Sequence, residues 1–319
     1  MTTNPLRARD VLLKPLHKMT QTSPLIDSAF LHKLERLAIH WQKSFPGLVG
    51  GHNLSHFSGS GQEFLDHRHF HQGDDLRAVN WRAYMRLEKL FLKMFQVEPR
   101  VPVRVLLDCS RSMETGAETS VGAVSKFDYA RKLAAALTYI GLVRLDTICL
   151  QPFGSDLGDS FLCGGGRHRF IPALNFLTGL KPAGRTGFFQ IARQFVSKYP
   201  QRGLLIIISD FLDDADPEKP LQFFSDFGHE LQLIQLWAEE DRVPPWDGQL
   251  DLQDAETDEK VEVTFDQTAR DAYTAAFDEY AAKIQRVGLR TGGKYVGFST
   301  DTTIEEAMFG AMVRAGGIQ

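Results

Sequence analysis

From Val103 onward, apolar positions alternate between short continuous runs and helical stripes. Val103–Leu107, apolar but for Arg104, is a run of strand length that ends in Asp108-Cys109-Ser110-Arg111-Ser112. After it, Phe127, Ala130, Ala134, Leu137 and Gly141 recur at helix-face spacing, which predicts an amphipathic helix over Lys126–Arg144. Asp146–Phe153 predicts a second strand, Gly164–Gly166 a turn, and Phe188, Ile191, Ala192 and Phe195 another helix. Leu204–Ile208 is wholly apolar and ends in Ser209-Asp210. A helix around Leu221–Phe227 and a strand through Leu231, Leu233 and Leu236 follow. Tyr273, Phe277, Tyr280, Ile284 and Val287 mark a long helix, Tyr295–Phe298 a last strand, and Thr303 the start of a short helix.

The region before Val103 reads differently. Residues 26–44 carry helical spacing, Pro46–Asp75 is dense in Gly, His and turn-forming residues, and Lys89–Val97 partly alternates as a strand does. Strand–helix alternation with fully apolar strands is the grammar of a parallel sheet covered on both faces. The expected fold is therefore α/β, a doubly wound, mostly parallel sheet over residues 101–300. An N-terminal β-rich elaboration over residues 1–100 and a C-terminal helix or tail over 301–319 flank it. The segment Asp247–Thr264 is expected to be a hairpin or loop between the last two strands.

Composition narrows the function classes. The 319 residues carry a net charge of −4 and 24% charged residues, which argues against a dedicated nucleic-acid binder. No apolar run approaches the ~18 residues of a membrane span. Three cysteines without CxxC spacing argue for a reducing compartment, so the expected location is cytoplasmic. Charge is uneven: Arg82–Arg104 has six basic residues against two acidic, and Glu239–Glu262 has ten acidic against two basic. Each reads either as a solvated face or as a docking surface.

Three segments carry candidate chemistry, each just beyond a strand end or at a helix start, where α/β sheets bind ligands. They are Asp108, Ser110 and Ser112, whose alternation lets them converge while Cys109 turns into the packing; Thr186 in Gly184-Arg185-Thr186-Gly187; and Asp210. Two carboxylates and three hydroxyls form a hard, all-oxygen set suited to Mg²⁺ or Mn²⁺, with room for an incoming partner carboxylate. The bland alternative is polar capping of strand ends and helix starts. Arg111 and Arg185 flank the set, either to guide a partner carboxylate or to pair with Asp213 or Asp214.

The order Asp108-x-Ser110-x-Ser112, Thr186, Asp210 resembles the metal-ion-dependent adhesion site of von Willebrand factor A domains. That resemblance implies ligation through the hydroxyls of Ser110, Ser112 and Thr186, with Asp108 and Asp210 binding directly or through water. Further upstream, Glu63, Phe64, Arg68, Gly73, Asp74, Asp75, Arg77 and Trp81 resemble the EF…R and GDDxRxxxW pattern of the family called domain of unknown function 58. This resemblance runs from about Gly50 to Gly297 and takes in Leu252–Thr257. It implies a metal-dependent adaptor or chaperone-like protein that works with a MoxR-type AAA+ ATPase or its client. Many members have N-terminal membrane helices, and their lack here suggests a cytosolic short form.

Two further features compete for a role. The GDD motif reads as a tight turn, with Trp81 plugging the elaboration onto the α/β domain, or as a docking loop that uses Arg77, Arg82 and Arg86. His52, His56, His67, His69 and His71 lie within twenty residues, and three of them alternate as zinc ligands on a strand face would. Catalysis has little sequence support, since no P-loop, GxSxG, HExxH or GxGxxG motif occurs. The alternative to a binding protein is a metal-dependent phosphatase or nuclease built on the same acids.

Overall fold

The computed structural model describes residues 30–34, 63–71, 74, 79–96, 102–114, 124–143, 146–213, 216–253 and 260–311. Residues 30–34 are helical (α1). The elements that follow are β1 (Glu63–His69), α2 (Trp81–Leu87), β2 (Phe91–Gln96), β3 (Val103–Asp108), α3 (Lys126–Val143), β4 (Ile148–Phe153), β5 (Phe161–Cys163) and α4 (Phe170–Gly179). Then come α5 (Phe188–Lys198), β6 (Leu204–Ser209), α6 (Glu218–Asp226), β7 (Glu230–Trp237), the single turn α7 (Glu239–Arg242), β8 (Gly248–Gln253), β9 (Lys260–Phe265), α8 (Gln267–Arg290), β10 (Lys294–Ser299) and α9 (Ile304–Glu306).

The central sheet has the order β10-β7-β6-β3-β4-β5, parallel throughout except for the antiparallel edge strand β5. The expected doubly wound α/β sheet is thus present. From β3 the chain steps to β4 on one side and later returns to β6 on the other, so the switch point lies between β3 and β6. Alternate strand residues feed two cores. Val105, Leu107, Ile206 and Ile208 pack toward α3 and α4, whereas Leu106, Leu205 and Ile207 pack toward α5, α6 and α8.

Helix α3 corrects one expectation. It is buried nearly all round, with Leu133, Ala135, Ala136, Tyr139, Ile140 and Leu142 enclosed as well as the predicted stripe. The reason is a second layer: α4, Leu34 of α1, and Ala307 and Met308 beyond α9 pack in the same core. The small residues that dilute its amphipathic pattern are those a helix needs when neighbours close on several sides. Edge strand β5 and helix α4 were not predicted: the three residues of β5 give too little periodicity to read, whereas the ten-residue α4 does carry a helical stripe, Phe170, Ala173, Leu174 and Leu177, all buried.

The N-terminal region also departs from expectation. Within the turn-rich stretch, Glu63–His69 forms a strand that pairs antiparallel with β2 as a separate two-stranded sheet. Alternating His and charged residues over Asp66–His69 mask the strand periodicity. The acidic segment forms the expected hairpin, β8 with β9, pairing Leu252 with Val261 and Leu250 with Val263. Among the described residues, no helix is long and apolar enough to cross a membrane.

Candidate metal centre

Asp108 and Ser209 end the two strands that flank the switch point, and Asp210 follows directly. Ser209 Oγ donates to Asp108 Oδ2 at 2.5 Å, and the Ser110 amide donates to Asp108 Oδ1 at 2.9 Å. The Ser110 and Ser112 hydroxyls lie 2.9 Å apart, so alternation does bring them to one side. Cys109 turns into the core as expected, and burial followed by the Asp108 charge pushes its thiol up to about 12. The chain then enters a short 3₁₀ turn, Arg111–Glu114, anchored by buried Met113.

The Thr186 loop is stitched to this turn. The Ala183 amide donates to Cys109 O at 2.7 Å, and the Arg111 amide donates to Gly184 O at 3.1 Å. Gly184 has φ +78°, a conformation in which a side chain is strained. A Cβ there would have open space, with Ser155 Oγ at 4.0 Å its nearest neighbour, so the cost of adding one is backbone strain alone. Gly184→Ala should therefore lower stability by about 1 kcal/mol in urea unfolding, and Gly184→Asn by less. An unchanged midpoint for both variants would show that the loop does not need the left-handed turn.

Asp210 sits in a second turn. The Leu212 amide donates to Asp210 Oδ1 at 3.1 Å, the Phe211 amide to Ser209 Oγ at 2.8 Å, and Gln235 Nε2 to Asp210 O at 3.2 Å. Phe211 between them has φ +59°, which is unusual for an aromatic residue. Tertiary contacts hold it there. Its ring stacks on Phe188 at 5.4 Å, and its carbonyl accepts from Tyr280 OH at 2.7 Å. Asp213, considered above as an arginine partner, accepts from the Phe188 amide at 2.9 Å and so caps α5. Asp214 lies outside the described residues.

Two residues missed in the sequence complete the electrostatics. Lys126, the first residue of α3, is 1% exposed; its Nζ lies 2.9 Å from Asp210 Oδ2 and 3.0 Å from Asp241 Oδ2. Burial opposes its charge, but Asp210 and then Asp241 outweigh burial and raise its pKa. The available signal was a lysine at a helix N-terminus, where the helix dipole favours the opposite sign. Asp241 lay hidden within the acidic run, yet it turns inward and also accepts from the Ala238 amide at 3.0 Å.

The family described as Protein of unknown function DUF58 matches residues 66–283, a span that holds both strand ends and the Lys126 network. The chain belongs to the DUF58 family. An uncharacterised protein of Mycobacterium tuberculosis is 25% identical over 273 residues, covering 84% of each chain. One of Mycobacterium avium is 33% identical over 101 residues, covering 32% of this chain and 59% of that one. Among solved structures, the conserved hypothetical protein BatB of Bacteroides thetaiotaomicron is 15% identical with a TM-score of 0.39, covering 68% of this chain and 98% of that one. The SpRpn10 VWA domain is 10% identical with a TM-score of 0.35, covering 66% and 93%.

In this DUF58 protein the donor set fits a small divalent cation. All five residues offer hard oxygen donors; Asp108, Ser110, Ser112 and Asp210 are buried, and Thr186 is half-buried with its Oγ1 enclosed. The charge also fits. Burial, then the Asp210 charge, raise the Asp108 carboxyl to about 7, the mark of an acid short of positive charge. With Asp108, Asp210 and Asp241 ionised against Lys126, the cluster carries −2, which one divalent cation cancels.

Other candidates stand apart. The Asp74 side chain accepts from Arg68 Nη2 at 2.8 Å and from the His71 amide at 2.7 Å, which ties Asp74 back to the end of β1; Gly73 and Asp75 lie outside the described residues. The Arg68 bond, then the His71 amide, lower the Asp74 pKa. Trp81 does not plug the elaboration onto the sheet: it is 55% exposed and rests edge-on against Tyr84, because no residue of α2 is buried. Arg82 and Arg86 are exposed on α2, and Arg77 lies outside the described residues. His69 packs on Phe91 with ring centroids 4.7 Å apart. His52, His56 and the His67 side chain lie outside the described residues. Among the described residues no group of three or more His, Cys, Asp or Glu side chains could hold a metal.

Proposed function

We propose that this protein is a non-catalytic, divalent-metal-dependent interaction protein. It would hold Mg²⁺ or Mn²⁺ through Asp108, Ser110, Ser112, Thr186 and Asp210 and use the metal to capture a partner carboxylate. The observation that carries the reading is the undercompensated pair of buried acids at the switch point, with the serine hydroxyls converging beside Asp108. A bound cation lowers the cost of both buried charges, and an arriving carboxylate adds a charge-assisted contact. The family resemblance supplies the partner class, a MoxR-type AAA+ ATPase or its client, and the role of adaptor.

The Lys126–Asp210 bond favours a second reading, a metal-free interaction module in which the ammonium alone serves as the cation. Calorimetric titration with Mn²⁺ separates the two. One site per chain, lost in Asp108→Ala, is the expected result, together with retention of the co-expressed ATPase that EDTA and Asp108→Ala both abolish. Absence of Mn²⁺ binding, or retention unaffected by EDTA, would overturn the metal-capture reading. Asp108-dependent turnover of p-nitrophenyl phosphate would establish the hydrolase alternative instead.

A further inference from the structure

Both carboxyl oxygens of Asp108 already hold a donor, the Ser110 amide on Oδ1 and Ser209 Oγ on Oδ2. On Asp210 the two oxygens differ. Oδ1 accepts from the Leu212 amide, a fixed backbone donor, whereas Oδ2 accepts from Lys126 Nζ at 2.9 Å. The oxygen of this buried pair that faces a full positive charge therefore faces a movable one. Lysine is a compact charge on a flexible stem, and its ammonium can turn from one acceptor to another.

A second acceptor is in place. Asp241 Oδ2 lies 3.0 Å from the same Nζ. The Asp241 side chain is 26% exposed against 2% for Asp210, so water shares in solvating any charge held there. The turn that carries Asp241 is fastened to α8. Tyr273 OH donates to Asp241 O at 2.9 Å, Thr274 Oγ1 donates to Arg242 O at 3.2 Å, and Arg242 Nε pairs with Asp278 at 2.9 Å. The Ala238 amide holds the Asp241 carboxyl itself. Lys126 thus stands between one carboxylate of the candidate metal set and one outside it. A structural ion pair needs a single acceptor; the second gives the ammonium a place to stay when the first is taken.

We infer that Lys126 is a displaceable counter-ion of the metal site and that Asp241 is its receiving carboxylate. Lys126 neutralises Asp210 until a divalent cation binds, then leaves Asp210 Oδ2 and keeps Asp241. Charge balances in the second arrangement without any change of protonation: Asp108 and Asp210 match the divalent cation, and Asp241 matches Lys126. The inference rests on the metal-capture reading and adds its regulation. The ammonium lowers metal affinity, because it competes with the metal for Asp210 Oδ2, and Asp241 restores part of that affinity by holding the ammonium away.

The test is a double-mutant cycle on Mn²⁺ affinity in the full chain, with free Mn²⁺ read by electron paramagnetic resonance. Lys126→Met should bind Mn²⁺ about tenfold more tightly than wild type, and Asp241→Asn about tenfold more weakly. In the Lys126→Met background, Asp241→Asn should lose far less affinity, since no ammonium remains to be received. A purely through-space action of Asp241 on the metal gives the same loss in both backgrounds and overturns the exchange. So does a Lys126→Met affinity equal to that of wild type. A second measurement needs no variant to fold: the ¹⁵N resonance of the Lys126 ammonium should shift as Mg²⁺ saturates wild type. A saturated site with an unmoved resonance overturns the exchange and leaves metal capture standing. Binding confined to Lys126→Met makes the ammonium a permanent occupant and overturns both the exchange and metal capture by wild type. No Mn²⁺ binding by any of the four proteins removes the metal-capture reading and this inference with it.

Discussion

Lys126→Met should cost the protein about 3–5 kcal/mol of unfolding free energy in EDTA at neutral pH, measured by urea denaturation. The ammonium is enclosed between Asp210, itself buried, and Asp241, and its removal leaves their carboxylates facing each other without a cation. The unbranched methionine keeps most of the packing volume, so the loss reports charge rather than a cavity. Two controls follow. Lys126→Met combined with Asp210→Asn should recover more than half of the loss, since it removes the charge that Lys126→Met strands. Added Mn²⁺ should stabilise Lys126→Met more than wild type, because the metal then supplies charge that Asp210 lacks. A loss below about 1 kcal/mol would show that the pair contributes no more than a solvated surface bridge.

This network also marks the limit of what could be read from the sequence. The sheet was legible because its strands are buried on both faces: Val103–Leu107 and Leu204–Ile208 have no second interpretation once strand length is considered. The carboxylates and serines were legible because short polar residues placed directly after such runs fall at the ligand-binding edge of the sheet. Lys126 was not, because the same letter begins many solvated helices, and only the three-dimensional approach of α3 to β6 and α7 turns it inward. Phe211 was hidden for a related reason. Its left-handed backbone is imposed by Phe188 and Tyr280, residues separated from it in sequence but packed against it. Trp81 misled in the opposite direction: an aromatic residue in a motif suggests a plug, yet a helix with no buried face leaves it in water.

Asp108→Asn should invert the order of stability according to metal. In the metal-free wild type the Asp108 carboxyl titrates at about 7, whereas in the unfolded chain it titrates near 3.8. Between those values the folded protein keeps a proton that the unfolded chain has released. Stability from this group is therefore fully present below about pH 4 and is lost as pH rises through about 7, a total of about 4 kcal/mol. Asparagine cannot ionise; its Oδ1 can accept from the Ser110 amide, and its amide can donate to Ser209 Oγ, whose hydroxyl rotates to suit. In EDTA at pH 8, Asp108→Asn should thus be more stable than wild type by about 2–4 kcal/mol. The difference between the two proteins should vanish toward pH 4, and this subtraction cancels the exposed acids that titrate in both. Saturating Mn²⁺ reverses the order. At about 1,000 times its Kd the metal adds about 4.1 kcal/mol to wild type, enough to overcome that gap, and nothing to Asp108→Asn. Metal competes with the proton for the same carboxylate, so its affinity should rise with pH up to about 7 and then level off. Urea unfolding across this pH range, with and without Mn²⁺, measures every part of this. A variant less stable than wild type at every pH in EDTA would mean that Asp108 is already compensated without metal. An equal Mn²⁺ gain in both proteins would place the cation elsewhere.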